Sequence, residues 1–127
     1  STQVSGSDII VTVGDGKIIL QGAATLSTVN IGVNSLSTVN YADNVSLVGT
    51  QFNDTLENYG TNVTIVAQED NDNINNKAVS TSILAGAGND SIVNIGSTAT
   101  ILGEAGNDTI KNYGNYSTID GGDDDDE

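Results

Sequence analysis

The chain has 127 residues, sets 17 acidic side chains against 3 basic ones for a formal charge of −14, and contains no Cys, His, Met, Trp or Pro. Disulfides, thiol chemistry and imidazole metal sites are excluded, and the charge argues against nucleic acid and anionic membrane as partners while favouring cations. With 4 Tyr and 1 Phe the chain is also poor in the large rings that fill most globular cores.

The opening stretch, STQVSGSD, has neither the basic nor the apolar region of a secretion signal. A chain that starts on Ser1 is expected to be processed or to be a piece of something longer. No apolar run approaches the roughly 18 residues of a membrane helix, so membrane insertion is not expected. Residues 6–20, GSDIIVTVGDGKIIL, echo residues 88–102, GNDSIVNIGSTATIL, with Asp8, Ile10, Gly14 and Ile19 in register. TVNIG at 28–32 reads like IVNIG at 92–96. NYADNVSLV at 40–48 matches NYGTNVTIV at 58–66.

From residue 49 onward the pattern is regular. Asp54, Asp72, Asp90, Asp108 and Asp126 are each 18 residues apart. Leu56, Ile74, Ile92 and Ile110 keep the same spacing, as do Asn58, Asn76, Asn94 and Asn112, and Ile65, Ile83, Ile101 and Ile119. Four columns in step make an 18-residue structural repeat, and such a repeat is the signature of a stacked array. Residues 1–127 are read as one domain, with irregular repeats over 1–48 and regular ones over 49–127.

Gly, Asn, Thr, Ser and Val dominate each unit and no 3.6-residue period appears, so helix is not expected. Short alternating segments such as DSIVN and TATIL read as strands. Each unit then holds two strands and two turns, and each strand stacks on its own copy one coil away, about 4.8 Å along an axis. The expectation is an all-β parallel β-solenoid, or β-roll, of about seven 18-residue coils of two short strands each. Its thin core is filled by the Leu, Ile and Val columns, with Val63, Thr81, Ala99 and Ser117 as smaller neighbours. The Asn58 column is expected to form an amide ladder at the second turn.

The first turn carries the chemistry. Its versions are GTQFND, AQEDND, AGAGND, GEAGND and GGDDDD. Gly permits positive φ, which lets carbonyls point into one cavity, and Asp adds a hard anionic oxygen. Calcium takes about six to eight such oxygens, at about 2.3–2.6 Å. Stacked Asp columns without a cation would repel one another, so folding is expected to depend on metal.

This pattern resembles the nonapeptide GGxGxDxUx of the repeats-in-toxin (RTX) family, where U is a large aliphatic. GEAGNDTIK at 103–111 matches at Gly103, Gly106, Asp108 and Ile110, and AGAGNDSIV at 85–93 matches at Gly86, Gly88, Asp90 and Ile92. GGDDDDE at 121–127 matches at Gly121, Gly122 and Asp126. The resemblance covers 84–126 most fully and thins upstream. It implies a right-handed calcium β-roll. The implied ligands are the carboxylates of Asp90, Asp108 and Asp126 and the carbonyls of Ala85, Ala87, Asn89, Gly103, Ala105, Asn107, Gly121, Asp123 and Asp125. Asp72, Asp70, Asp54 and Asp8 are further candidates in turns that depart from the pattern. The alternate half-turns, NIGSTATI and NYGNYSTI, carry no Asp, so calcium is expected along one edge only.

Catalysis is not expected, because the carboxylates recur in every coil and mark no single pocket. The expected function is structural: an extracellular calcium-stabilised roll that assembles head to tail with copies of itself into a filament, or forms a spacer of a repetitive surface adhesin. The half-turn Asp123–Asp126 and the small-residue turn Gly6-Ser7-Asp8 would meet at such a joint. The alternative is a secreted calcium-dependent carbohydrate-binding module, since rolls similar to this one accompany polysaccharide-modifying enzymes. In that case Tyr41, Tyr59, Tyr113 and Tyr116 would offer a strip for a polysaccharide.

Overall fold

A computed structural model describes residues 9–13, 16–20, 28–29 and 35–127. It contains thirteen strands and, among the described residues, no helix. The first three are β1 (Ile9–Val13), β2 (Gly16–Leu20) and β3 (Thr28–Val29). Then come β4 (Ser37–Asn40), β5 (Ser46–Val48), β6 (Thr55–Asn58), β7 (Thr64–Glu69) and β8 (Asn73–Asn76). The last are β9 (Ser82–Ala87), β10 (Ser91–Asn94), β11 (Thr100–Ala105), β12 (Thr109–Asn112) and β13 (Thr118–Asp123).

Even-numbered strands from β4 to β12 stack in one sheet, and β3 to β13 stack in the other. Every pairing within this stack is parallel and offset by one repeat: Ile92 lies against Ile74 on one side and Ile110 on the other. The fold is thus the expected all-β parallel solenoid of two-stranded, 18-residue coils. The coils number about five rather than seven.

The difference lies at the N-terminal end. β1 and β2 do not form a further parallel coil. β1 pairs antiparallel with β4, Ile10 against Val39, and also with β2, Ile10 against Ile19. The register proposed for Ile10 and Ile19 with the later coils is therefore wrong. The two strands are linked by only Gly14-Asp15, followed by Gly16, and a two-residue link of this composition closes an antiparallel hairpin. A parallel return needs a longer crossover. Asp8 lies outside the described residues.

The alternation of the strands decides what is inside. In β6, β8 and β10 the second and fourth residues point inward, and the first and third point out. Leu56, Ile74 and Ile92 form one inner file and Leu47, Ile65, Ile83 and Ile101 the facing one, all fully buried. Each such side chain contributes on the order of 1.5–3 kcal/mol by leaving water. Val63, Thr81 and Ala99 are buried beside them. A core two aliphatic files wide has no space for rings, which accounts for the aromatic-poor composition. The files end at Ile110, which is partly buried, and Ile119, which is 45% exposed.

The fourth inward position is Asn. Asn58 Nδ2 donates to Asn76 Oδ1 at 2.8 Å, and Asn76 Nδ2 to Asn94 Oδ1 at 2.7 Å. The file begins one coil earlier than expected, with Asn40 donating to Asn58, and ends with Asn94 donating to Asn112. Each amide also closes its own turn: Asn76 Nδ2 donates to the Ala78 carbonyl at 2.8 Å, and Asn76 Oδ1 accepts the Ala78 N–H at 3.3 Å. Both donors and the carbonyl oxygen are used, which is the condition for burying a polar side chain.

Candidate functional site

The opposite edge is formed by the Gly-Asn-Asp turns. Asp54, Asp72, Asp90 and Asp108 are buried, each 1–3% exposed. The Asp carboxylates therefore face into the edge of the roll rather than into solvent. Each is held by the coil before it. The N–H of Asp54 donates to Asp72 Oδ1 at 2.7 Å, that of Asp72 to Asp90 at 2.7 Å, and that of Asp90 to Asp108 at 2.8 Å. The N–H of Asp108 donates to exposed Asp126 at 2.9 Å.

The second oxygens are another matter. Asp72 Oδ2, Asp90 Oδ2 and Asp108 Oδ2 are buried and have no hydrogen-bond partner. A buried carboxylate oxygen without a donor or a cation is costly, and burial pushes these acids up. Asp72 is raised to about 7 by burial and by the charges of Asp90, Asp54 and Asp70. Asp90 is raised to about 6 by burial and by Asp108, and Asp108 rises for the same reasons, with Asp126 as neighbour.

Gly103 marks what these oxygens face. A Cβ on Gly103 would fall 2.2 Å from Asp108 Oδ2 and 2.2 Å from the carbonyl oxygen of Gly121 in the next coil. A carboxylate from one coil and a carbonyl from the next thus converge on the space that a side chain would fill. Both are hard oxygen donors of the kind calcium takes. Among the described residues no three acidic side chains converge, so a cation here would be held by one carboxylate per coil plus backbone oxygens.

The backbone supports this along several coils. Gly86, Gly122 and Glu104 have positive φ at the second turn position, as does Gln68 at 92°. Gly88, Gly106, Asp124 and Asp70 have it at the fourth, Asp70 at 67°. The turn at 67–72 lacks Gly at both positions, yet it takes the same path. Asp72 and Asp70 therefore belong to the same edge as Asp90 and Asp108. Ala85, Gly103 and Gly121 occupy the first turn position, and Ala87, Ala105 and Asp123 the third. The carbonyl of Ala105 already accepts the Gly88 N–H at 2.8 Å.

The fifth position holds a feature that sequence reasoning missed. Asn53, Asn71, Asn89 and Asn107 are exposed, and each Oδ1 accepts the N–H of the residue one coil later: Asn71, Asn89, Asn107 and Asp125 respectively. The signal was the Asn file itself, constant at 18 residues. Asn and Asp, adjacent in sequence, thus join coils in opposite directions.

The turn at 49–54 differs. Thr50 is buried, its N–H donates to Asp54 Oδ2 at 2.5 Å, and its Oγ1 donates to Asp54 Oδ1 at 2.9 Å. The Leu36 N–H is the carboxylate's third donor and the second on Oδ1, at 2.5 Å. Neither Thr50 nor Phe52 has positive φ, and β5 ends at Val48, before the turn.

On the second-turn edge, the rings of Tyr41 and Tyr59 stack on one another, centroids 4.9 Å apart and 2° from parallel. Lys77 Nζ donates to the Tyr59 hydroxyl at 2.7 Å and pairs with Glu57 at 2.5 Å. That hydrogen bond to Glu57 holds Lys77 above its ordinary range, and Glu57 below its own. One face of Tyr59 is thus taken by Tyr41 and its hydroxyl by Lys77, while Tyr113 and Tyr116 lie exposed farther along. No protein-family model, curated protein or solved structure matches this chain.

Proposed function

We propose that the chain is a calcium-stabilised structural β-roll. The observation that carries this reading is the file of buried, unpartnered oxygens on Asp72, Asp90 and Asp108. Asp Oδ2 and the carbonyl of the following coil, as at Asp108 and Gly121, would hold the ion. The cation supplies charge neutralisation between coils, and the chain's own ladders fix where the oxygens stand. Carboxylates repeated at 18-residue spacing from Asp54 to Asp126 mark out no single pocket, which favours a scaffold over catalysis.

Such a scaffold suits an extracellular setting, where free calcium is plentiful. The last coil exposes Ile119 and one edge of each sheet, and the matching surface for both is another coil of the same kind. A second copy stacking head to tail would give a filament. Further coils in the same chain would give a spacer, as in a repetitive adhesin. Circular dichroism of the full chain tests the core of the reading: β signal rises with millimolar calcium and falls with chelator. A chain equally folded in excess chelator overturns it.

A further inference from the structure

We infer that the turn at 49–54 is a hydrogen-bonded substitute for a cation site, and that Thr50 thereby sets the boundary of the calcium-bound stretch of the solenoid. The inference rests on the calcium reading above and says which turns take the ion. Four Asp residues stand in one buried file, so composition and spacing alone give them the same role. Their second oxygens separate them. Those of Asp72, Asp90 and Asp108 have no partner, whereas Asp54 Oδ2 accepts the Thr50 N–H at 2.5 Å.

The substitution is local: a Cβ on Gly49 would still meet Asp54 Oδ2 and the Ala67 carbonyl oxygen at 2.5 Å each, as at Gly103, and what differs is the set of donors on the carboxylate. Two donors reach Asp54 Oδ1, from Leu36 N and Thr50 Oγ1, and one reaches Oδ2. A buried carboxylate with donors on both oxygens has its hydrogen-bonding capacity met without a metal. The Thr50 hydroxyl also accepts the Phe52 N–H at 3.2 Å, which ties the turn to the same side chain. In the later turns the second position lies inside a strand. Residues 68, 86, 104 and 122 pair along the sheet, Gln68 with Gly86 and Glu104 with both Gly86 and Gly122. There the positive φ at the second position carries the strand onward. At Thr50 the strand has already ended, and the freed N–H turns onto the carboxylate.

The consequence is a solenoid of two characters. The coil of Asp54 closes its acidic edge with hydrogen bonds, the coil before it carries Leu36 at the same position, and together they form a base that requires no metal. Coils from Asp72 onward depend on the ion, and calcium adds them to that base. Crystals of the full chain grown with calcium chloride, measured for anomalous scattering, are expected to show ions beside Asp72, Asp90 and Asp108 and none beside Asp54. Native mass spectrometry of calcium-loaded variants gives the second readout: Asp90→Asn loses one ion, and Asp54→Asn keeps the wild-type number. An ion against Asp54 Oδ2, or the loss of one in a folded Asp54→Asn chain, overturns the inference while leaving the calcium reading in place. No ion at any of the four overturns both. The crystals use the unaltered chain, so they decide the matter even where Asp54→Asn does not fold.

Discussion

The backbone N–H of Asp72 is bonded to the carboxylate of Asp90, 18 residues away, at 2.7 Å. One oxygen of Asp90 thus joins two coils while the other has no partner. The two functions separate by substitution. Asp90→Ala removes both, leaves a buried N–H unpaired, and is expected to lower stability by about 1–3 kcal/mol in chelator as well as in calcium. Asp90→Asn keeps an acceptor for the N–H and deletes the desolvated charge. It should equal or exceed wild type in chelator and fall below it in calcium. Urea midpoints under the two conditions check both.

Metal-free protein should be stabilised by acid. Asp72 and Asp90 are raised to about 7 and about 6 in the fold, with Asp108 raised as well, against an ordinary value of about 4 in the unfolded chain. Between these values the folded chain holds more protons than the unfolded one, so stability falls as pH rises from about 4 to about 7, and the loss is complete above that window. In chelator, urea midpoints at pH 5 should exceed those at pH 7. The combined Asp72→Asn and Asp90→Asn change should flatten the slope.

Equivalent turn positions in adjacent coils should respond oppositely. A Cβ at Gly86 would meet the Gln68 carbonyl oxygen at 1.9 Å, with φ at 111°, so Gly86→Ala is expected to cost several times what an exposed Ala change costs. Glu104 is exposed and holds φ of 80° with a side chain that Gly lacks. Glu104→Gly should raise stability by about 1 kcal/mol through relief of that conformation. Thermal unfolding in saturating calcium measures both.

The amide ladder should be indifferent to calcium. Asn76→Ala strands the Asn58 amide, the Asn94 carbonyl oxygen, and the Ala78 N–H and carbonyl. A loss of about 3 kcal/mol or more is expected, since each orphaned buried group costs about 1–3 kcal/mol. The loss should be the same with and without metal.

Assembly has its own test. Sedimentation velocity should show polymers growing with calcium, and Ile119→Glu should disperse them by placing a charge on the exposed end of the core. A wild-type chain that stays monomeric at high concentration in saturating calcium would leave the spacer reading in place of the filament.

Much of this was legible in the sequence, because a solenoid writes each contact several times over. The Ile and Asn files were visible since every copy faces its own copies, and their spacing is the register. What escaped was whatever occurs once. The hairpin of β1 and β2 shares its composition with the coils, and only the short Gly14-Asp15 link distinguishes it. The Thr50 clamp is a single departure inside a repeating motif. The positive φ of Gln68 was hidden because stacking on neighbouring coils imposes a backbone that its own side chain disfavours. The Asn89 file was absorbed into the Gly-Asn-Asp motif, where it looked like turn chemistry alone.

The opposed Asn and Asp bonds restrict how such a chain can change in length. One residue gained or lost within a coil puts Asn89 and Asp90 out of file with both neighbours at once, and no shift of the turn repairs one bond without breaking the other. Copying or deleting a whole coil, from Asp72 to Asp90 for example, returns every side chain to an identical partner. Inheritance of length is therefore quantised. Related chains are expected to differ by entire 18-residue courses.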